Sequence, residues 1–302
     1  MTRWRPLGHI YKTDSYGQCP TPLVMQDRVR VYFSERDVNG KSFIRFVDLE
    51  LDDPTKIIGG PSDRVLENGK LGSADADGQI PSFAWRQGMS TYLYYSGWTA
   101  LQSGAYHNST MLARSGDEGQ SFWRMFDGPI LDRTPHEPYL AVTPCLVNYG
   151  IEHMWYVGGL RWENINGKPE PIYAIHFALL DQDSCAKAPE WVRHGIAIPQ
   201  AHPFECHSRP WVNRYKRKYR MWYCHRSAID YRDGLNAYRL GYATSADGWQ
   251  WKRQDDQMHL PRSDFDTTMQ CYPAVFEAQG KVYLLYNGNT FGKHGFGLAV
   301  AE

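Results

Sequence analysis

The sequence predicts an all-β fold, a five-bladed β-propeller with four antiparallel strands in each blade. A short apolar segment that contains proline recurs five times, about 60 residues apart, and each copy is followed by a run rich in aromatic residues. The proline segments are 21–24, 80–83, 143–147, 209–212 and 272–275, and the aromatic runs are 31–33, 92–95, 154–156, 221–223 and 282–286. A fixed period of this kind indicates one supersecondary unit copied five times.

The fourth copy shows the strands of the unit most clearly. A first strand begins at 209–212, and apolar and polar residues then alternate over 219–224 and 238–244, as in half-buried strands. Asp247-Gly248 predicts a tight turn, because glycine accepts a positive φ, and 249–253 follows as a fourth strand. Four antiparallel strands in one copy are typical of a propeller blade.

The last copy ends without a fourth strand, and the N-terminus offers one. Residues 4–10 begin with Trp4-Arg5, as the fourth strand of the second copy begins with Trp123-Arg124. We expect this N-terminal strand to close the last blade and to remove an exposed sheet edge. The alternative is an open array with a frayed N-terminus. No linker interrupts the chain, so residues 1–302 are predicted to form a single domain.

Composition argues against several classes of partner. The 302 residues carry 33 basic and 33 acidic side chains, whereas broad nucleic-acid binding needs a basic footprint. No stretch approaches the roughly 20 apolar residues of a membrane span, and the N-terminus lacks the apolar core of a signal peptide. The six cysteines include no CxxC pair, so we expect reduced thiols and a cytoplasmic location.

The sequence predicts neither a metal nor an organic cofactor. Zinc needs about four converging ligands, and candidates such as Cys206, His207 and His225 are scattered without a ligand spacing. The glycines between 292 and 297 resemble a turn and are not followed by the helix of a phosphate-binding loop. No serine or cysteine stands in a nucleophile elbow.

The repeat resembles a known group of proteins. The turn Ser245-x-Asp247-Gly248-x-x-Trp251, the five copies and the aromatic second strands resemble the five-bladed propeller glycosidases, which include arabinanases, xylosidases, invertases and related mannoside phosphorylases. The patterns at 221–223, 238–243 and 286–289 also resemble uncharacterised propellers of bacterial polysaccharide gene clusters. The resemblance implies a carbohydrate-active, glycoside hydrolase-like enzyme that acts on a glycoside or an activated sugar in a pocket on the axis, with a place in polysaccharide biosynthesis.

The same resemblance implies two catalytic carboxylates. In that group one carboxyl group acts as an acid and another is ionised across the scissile bond. Glu205, ahead of the fourth proline segment, matches the position of the general acid; the alternative is a loop glutamate paired with His207 or Arg209. Asp77, ahead of the second segment, is an orienting group or a proton donor; the alternative is an ordinary turn, with Asp75 as a weaker candidate.

The sequence also departs from the pattern of the group. The first copy lacks the expected aspartate before its proline, and Thr143-Pro144 stands where many relatives have Asp-Pro. Two alternatives to hydrolysis therefore remain open. One is a glycoside phosphorylase or a sugar-nucleotide-processing transferase, because phosphate or an acceptor then supplies the nucleophile. The other is a propeller that binds sugar without catalysis.

Ten further residues near the same strand ends are candidates for binding a small carbohydrate or a sugar nucleotide. Arginines suit a phosphate or carboxylate, although each of those at 209 and 226 has an alternative ion pair with Asp230 or Asp233. Aromatic rings can stack on a pyranose or fill the core. The candidates are Arg209, His207, Arg226, Arg36, Glu137, Gln79, Trp98, Tyr272, Asn287 and Asn289. The sugar, its linkage and the oligomeric state stay open.

Overall fold

A computed structural model describes residues 2–148, 152–184, 188–232 and 234–302, which form mostly β-strands. The strands are β1 (Thr2–Lys12), β2 (Gln18–Val24), β3 (Arg28–Arg36), β4 (Ser42–Glu50), β5 (Ile57–Gly59), β6 (Gly78–Gln87), β7 (Ser90–Ala100), β8 (Tyr106–Ser115), β9 (Trp123–Arg124), β10 (Ala141–Asn148), β11 (Glu152–Ile165), β12 (Lys168–Leu180), β13 (Trp191–Ile196), β14 (Glu205–Tyr215), β15 (Lys218–Ser227), β16 (Arg239–Ser245), β17 (Lys252–Arg253), β18 (Met258–His259), β19 (Cys271–Ala278), β20 (Lys281–Asn287) and β21 (Gly295–Ala301). The helical segments of these ranges are two 3-10 turns, Gln182–Ser184 and Asp255–Gln257, and the four-residue α1 (Asn289–Gly292).

Most strands that follow one another within a repeat pair antiparallel. β14 to β17 form a four-stranded sheet, and β18, β1, β21, β20 and β19 form a second sheet in that order. A third path runs from β13 through β12, β11, β10, β8, β7, β6, β4 and β3 to β2, with β5 on β4 and β9 on β8. Within this path the pairs β4–β6 and β10–β8 are parallel and consist of one residue pair each. The antiparallel ladders of this path are therefore joined to one another by single parallel residue pairs.

The five strands that contain the proline segments pack against one another in a cycle. β2 contacts β6, β6 contacts β10, β10 contacts β14, β14 contacts β19, and β19 contacts β2. We call these five the inner strands. Each begins one antiparallel ladder, so the other strands of the ladder lie outside it.

Four inner strands contain the same backbone irregularity. The residue before proline has a positive φ in Cys19, Thr143, Arg209 and Tyr272, and the strand register shifts at each of these points. A non-glycine residue in this region costs about 1–3 kcal/mol, so its surroundings must hold it there. In the first repeat the shift lies at Cys19-Pro20, and the repeat assignment based on Pro22 was therefore wrong by two residues.

The N-terminal strand pairs with the C-terminal strand, as the sequence predicted. β1 runs antiparallel to β21, with Trp4 opposite Ala301 and Lys12 opposite Gly295. Trp4 is buried, and its ring meets that of Trp222 edge to face at 6.4 Å. The two ends of the chain thus share one ladder.

The aromatic runs bind the repeats to one another through hydrogen bonds as well as packing. The Tyr32 hydroxyl donates to the Gly119 carbonyl at 2.8 Å, and Trp155 Nε1 donates to the Gly248 carbonyl at 2.9 Å. Both acceptors lie in turns of the following repeat, and Trp251 Nε1 also donates to Gly248 at 2.8 Å. The turn that begins Ser245-x-Asp247 in the fourth repeat therefore accepts a hydrogen bond from Trp155 of the third repeat.

Five of the six cysteines lie among the described residues, and all five are buried free thiols. Burial raises the pKa of Cys19 to about 11 and that of Cys145 to about 12, so these thiols stay protonated at neutral pH. Cys185 lies outside the described residues. In the part of the chain that the structure describes, no helix is long and apolar enough to cross a membrane.

Truncating the ring of Trp4 tests the contribution of the N-terminal strand. We expect Trp4→Ala to lower the free energy of unfolding by about 3–5 kcal/mol, because it leaves a cavity beside Trp222. Denaturant unfolding measures the change. Trp123→Ala is the matched control, since that ring is 51% exposed and its loss should cost far less. Equal losses in the two variants would contradict a structural role for β1.

Candidate functional site

A cavity of about 270 Å³ lies where the five inner strands begin. Each inner strand contributes to its lining, in the form of Cys19, Ile80, Thr143, Ser208 and Tyr272. Three of these five have the positive φ described above, so the strained turns present their side chains to the cavity. We call this space the axial cavity.

Other strands complete the wall of the axial cavity. Arg36 comes from the end of β3, Trp98 from β7, Asn108 from β8 and Tyr173 from β12, while Tyr238 directly precedes β16. Among the described residues that line it, Arg36 has the one charged side chain, and none is an aspartate, a glutamate or a histidine. The cavity therefore offers a cation, aromatic rings and hydroxyl groups.

The guanidinium of Arg36 lies between two aromatic rings. Its Cζ is 4.9 Å from the ring centroid of Tyr16 and 5.9 Å from that of Trp98. Its Nε is buried and donates no hydrogen bond within the described residues. Such a group is oriented by the rings and keeps donors for a ligand.

Two further lining residues have polar atoms without a hydrogen-bond partner among the described residues. They are Thr143 Oγ1 and Asn108 Oδ1, both buried. A buried polar group that stays unpaired costs about 1–3 kcal/mol, so such groups are rare in folded proteins. Together with Arg36 Nε they mark the axial cavity as a place where a polar ligand would supply the missing hydrogen bonds.

Tyrosines also line the axial cavity, and two of them are joined to a buried arginine. The hydroxyls of Tyr173 and Tyr238 are 2.5 Å apart, and Arg226 donates to Tyr173 Oη from Nη2 at 2.9 Å and from Nε at 3.2 Å. Burial raises the pKa of Tyr173 well above its ordinary value, although Arg226 acts in the opposite direction. Arg226 itself is buried behind these rings and does not line the cavity.

Glu205 lies outside the lining of the axial cavity, in an ionic cluster. Both of its carboxylate oxygens accept from Arg253, each at 2.9 Å, and it is also 3.1 Å from His207 and 3.5 Å from His225. Burial alone would raise the pKa of Glu205, but the neighbouring His207, His225 and Arg253 outweigh it and hold that pKa far below its usual range. A carboxylate that stays ionised does not donate a proton near neutral pH, which argues against the general-acid role expected from the sequence.

The link between Glu205 and Arg253 recurs in other repeats. Asp75 pairs with Arg124 at 2.5 Å, and Glu137 pairs with Arg193 at 2.6 Å. In each case an acid ahead of an inner strand or at its start meets an arginine of the outermost strand of the same ladder. A tyrosine of the second strand joins both of these pairs, since Tyr95 donates to Asp75 and Tyr156 donates to Glu137. Because the same contact between an acid and an arginine recurs in three ladders, we interpret it as a structural link within each of these three.

Asp77 also has a local role. Its side chain is half-buried, accepts from the Ala100 backbone N–H at 3.0 Å and is 3.3 Å from Lys41 Nζ. The Ala100 hydrogen bond is the largest cause that lowers the pKa of Asp77. Gln79 is buried and donates to the Glu67 carbonyl and to Asp75. Neither Asp77 nor Gln79 lines the axial cavity.

Arg209 is buried and binds backbone atoms of two other inner strands. Its Nη1 donates to the Pro81 carbonyl at 2.8 Å, and its Nη2 donates to Thr21 Oγ1 at 2.7 Å and to the Pro20 carbonyl at 3.2 Å. Burial lowers the pKa of Arg209, and the structure shows it no carboxylate partner among the described residues. The alternative partner Asp233 lies outside the described residues. These bonds occupy both Nη groups of Arg209, its buried Nε has no hydrogen-bond partner among the described residues, and the residue does not line the axial cavity.

The remaining candidates divide between the cavity and the scaffold. Trp98 and Tyr272 line the axial cavity with Arg36. Asn287 accepts from the Cys19 backbone N–H at 2.9 Å and donates to two backbone carbonyls. It therefore stabilises the turn at Cys19, which lines the axial cavity. Asn289 accepts from the backbone N–H groups of residues 268 and 269 and lies outside the lining.

Sequence reasoning missed the residues at the start of the third strands. Asn108 lies near the start of β8, Tyr173 lies in β12, and Tyr238 directly precedes β16; each is in the third strand of its ladder or next to it. Their equivalent positions in successive repeats were a signal available in the sequence. The proline segments, by contrast, mark only the inner strands.

The backbone is similar to solved structures of glycoside hydrolases. One structure, described only as a glycoside hydrolase, has a TM-score of 0.75 at 16% identity, covering 98% of this chain and 91% of that one. A thermostable family-43 glycoside hydrolase has a TM-score of 0.65 at 17% identity, covering 94% and 88%. An exo-1,5-alpha-L-arabinanase from a bovine ruminal metagenomic library has a TM-score of 0.63 at 14% identity, covering 95% and 92%. The chain therefore has the fold of these structures.

Two proteins of Mycobacterium tuberculosis are related to the whole chain. They are uncharacterized protein Rv1502 of strain ATCC 25618 / H37Rv and uncharacterized protein MT1551 of strain CDC 1551 / Oshkosh. Each is 30% identical over 310 aligned positions that cover 99% of both chains. The chain belongs to the family of these two proteins. No protein-family model matches it.

Neutralising Glu205 distinguishes a structural role from a catalytic one. We expect Glu205→Gln to lower the free energy of unfolding at pH 7 by about 1.5–3 kcal/mol, because it weakens two hydrogen bonds between charged groups and leaves the half-buried Arg253 with Asp255 as its remaining carboxylate partner among the described residues. The pKa of Glu205 is depressed on folding, so its contribution is fully present above the unfolded value of about 4.3 and declines as the pH falls below it. The deficit measured by denaturant unfolding should therefore narrow in acid.

Glu137→Gln is the matched control for this experiment. It removes the equivalent carboxylate from Arg193 in another repeat, and a comparable loss of stability is expected. A Glu205→Gln protein as stable as the wild type but without ligand turnover would refute the structural assignment.

Proposed function

We propose that the chain is a five-bladed propeller whose axial cavity binds a carbohydrate with an anionic group, such as a sugar phosphate or a sugar nucleotide, without two-carboxylate hydrolysis. The blade count is supported by the cycle of five inner strands, each of which begins one antiparallel ladder. The pairing of β1 with β21 supports closure of the ring.

The observation that carries the proposal is the position of Arg36. It is the one charged side chain among the described residues that line the axial cavity, and its Nε has no partner there. A guanidinium offers a planar fork of donors that matches phosphate and carboxylate oxygens. Its orientation between Tyr16 and Trp98 reduces the entropy lost when an anion binds.

The rest of the lining suits a sugar. Trp98 and Tyr272 present aromatic surface on which the C–H face of a pyranose can pack, and Asn108 and Thr143 provide polar atoms for hydroxyl groups. The volume of about 270 Å³ lies near the lower end of small-molecule sites, which span about 300–1,000 Å³. A single sugar unit with its anionic group is a better match for this space than an oligosaccharide.

The lining argues against hydrolysis by two carboxylates. That reaction places an acid and an ionised carboxylate on either side of the scissile bond. Glu205 and Asp77 were the expected pair, and both lie outside the lining in contacts with basic groups. A ligand that is an activated sugar is compatible with the expected cytoplasmic role in polysaccharide biosynthesis.

Isothermal titration calorimetry tests this proposal. A panel of hexose 1-phosphates and UDP-hexoses is compared with the neutral hexoses, and we expect binding only by anionic members. Arg36→Gln should weaken binding by about 10–100-fold, since hydrogen bonds to charged groups contribute about 1.5–3 kcal/mol.

Arg86→Gln is the matched control, because Arg86 is an exposed arginine paired with Glu118 outside the cavity and should not affect affinity. Three results would contradict the proposal: equal binding of neutral hexoses, unchanged affinity in Arg36→Gln, or release of nitrophenol from nitrophenyl glycosides.

A further inference from the structure

We infer that Tyr238 is the hydrogen-bond donor that fixes an acceptor oxygen of the sugar, and that Arg226 and Tyr173 are positioning residues that direct its proton into the axial cavity. The inference rests on the proposed function for the identity of the ligand. The direction of the proton is argued from the contact between the hydroxyls of Tyr173 and Tyr238 and from the buried guanidinium of Arg226.

The direction follows from the hydrogen-bonding capacity of Tyr173. Two N–H groups of Arg226 point at Tyr173 Oη, at 2.9 and 3.2 Å, and a phenol oxygen has two lone pairs. Its acceptor capacity is therefore filled. The contact of 2.5 Å with Tyr238 must then use the proton of Tyr173, with Tyr238 Oη as the acceptor.

The proton of Tyr238 is free as a consequence. Tyr238 lines the axial cavity, and in this arrangement its hydroxyl already accepts from Tyr173. Burial raises the pKa values of Tyr173 and Tyr238 well above the ordinary value, so both phenols keep their protons at neutral pH. The Tyr238 O–H is therefore left to donate to an acceptor in the axial cavity.

Arg226 is held in place by groups outside the cavity. Its Nη1 donates to the Ser227 carbonyl at 2.9 Å, and its Cζ is 3.6 Å from the ring centroid of Tyr231. Tyr231 in turn donates to Glu170 at 2.8 Å. The cation therefore does not reach the ligand and acts on it through Tyr173.

The ring of Tyr238 is also fixed. It packs against Tyr272, with ring centroids 5.6 Å apart, and meets Phe291 edge to face at 6.2 Å. A chain of hydrogen bonds that begins at a cation polarises each later donor, which strengthens the last one. Tyr238 is thus a preoriented donor in the cavity that Arg36 also lines, and the two groups would hold different parts of the bound molecule.

Neutron diffraction of the deuterium-exchanged, ligand-free protein tests the direction of the protons. We expect the Tyr173 deuteron between the two hydroxyl oxygens and the Tyr238 deuteron pointing into the axial cavity. If the contact between the two hydroxyls were only structural, their deuterons would have no fixed directions. A Tyr238 deuteron directed at Tyr173 Oη would overturn the inference, whether or not any sugar binds.

Calorimetry with the tightest-binding member of the sugar panel tests the contact with the ligand. Tyr238→Phe should weaken its binding by about tenfold, which corresponds to one hydrogen bond. Tyr94→Phe removes a buried hydroxyl outside the cavity and is the matched control.

Unchanged affinity in Tyr238→Phe would refute the contact. If no member of the panel binds the wild type, the proposed function fails, and the neutron map still decides the direction of the protons.

Discussion

The inner strands are joined across the axis by one buried guanidinium. Arg209 of β14 donates to the Pro81 carbonyl of β6 and to Pro20 and Thr21 of β2, so a single side chain fixes three inner strands relative to one another. Its own backbone has a positive φ, a conformation that is held only if the surroundings are rigid. The same irregularity in Cys19, Thr143 and Tyr272 turns the start of each strand, and the axial cavity is the space left between these turns.

Three carboxylates of the protein stabilise its ladders, whereas the fold first suggests that such groups catalyse the hydrolysis of a glycoside. Asp75, Glu137 and Glu205 each tie the inner region of a ladder to an arginine on its outermost strand. These contacts with basic groups fix the three acids in place. The lining of the cavity then provides a cation and phenols, which are hydrogen-bond donors for an electron-rich ligand.

The all-β class and the pairing of the chain ends followed from the repeat, because proline and aromatic residues recur wherever the same strand recurs. The assignment of the first repeat failed because Pro20 and Pro22 are two residues apart and both fit an alternating strand; only the register shows which one follows the irregular turn. The contact of Glu205 with His207 was an alternative that its local motif offered, but its pair with Arg253 was not accessible from that motif, since Arg253 lies on another strand. Asn108, Tyr173 and Tyr238 were missed because the proline segments mark the inner strands, whereas these residues belong to the third strands or lie next to them.

The proposed function requires a cavity that binds an intact anionic sugar and does not cleave it. A crystal structure of the wild-type protein grown with the tightest-binding sugar phosphate or sugar nucleotide measures this most directly. We expect an uncleaved ligand in the axial cavity, with anionic oxygens within hydrogen-bond distance of Arg36 and a sugar oxygen beside Tyr238. A ligand bound against Glu205, or cleavage products in the cavity, would contradict it.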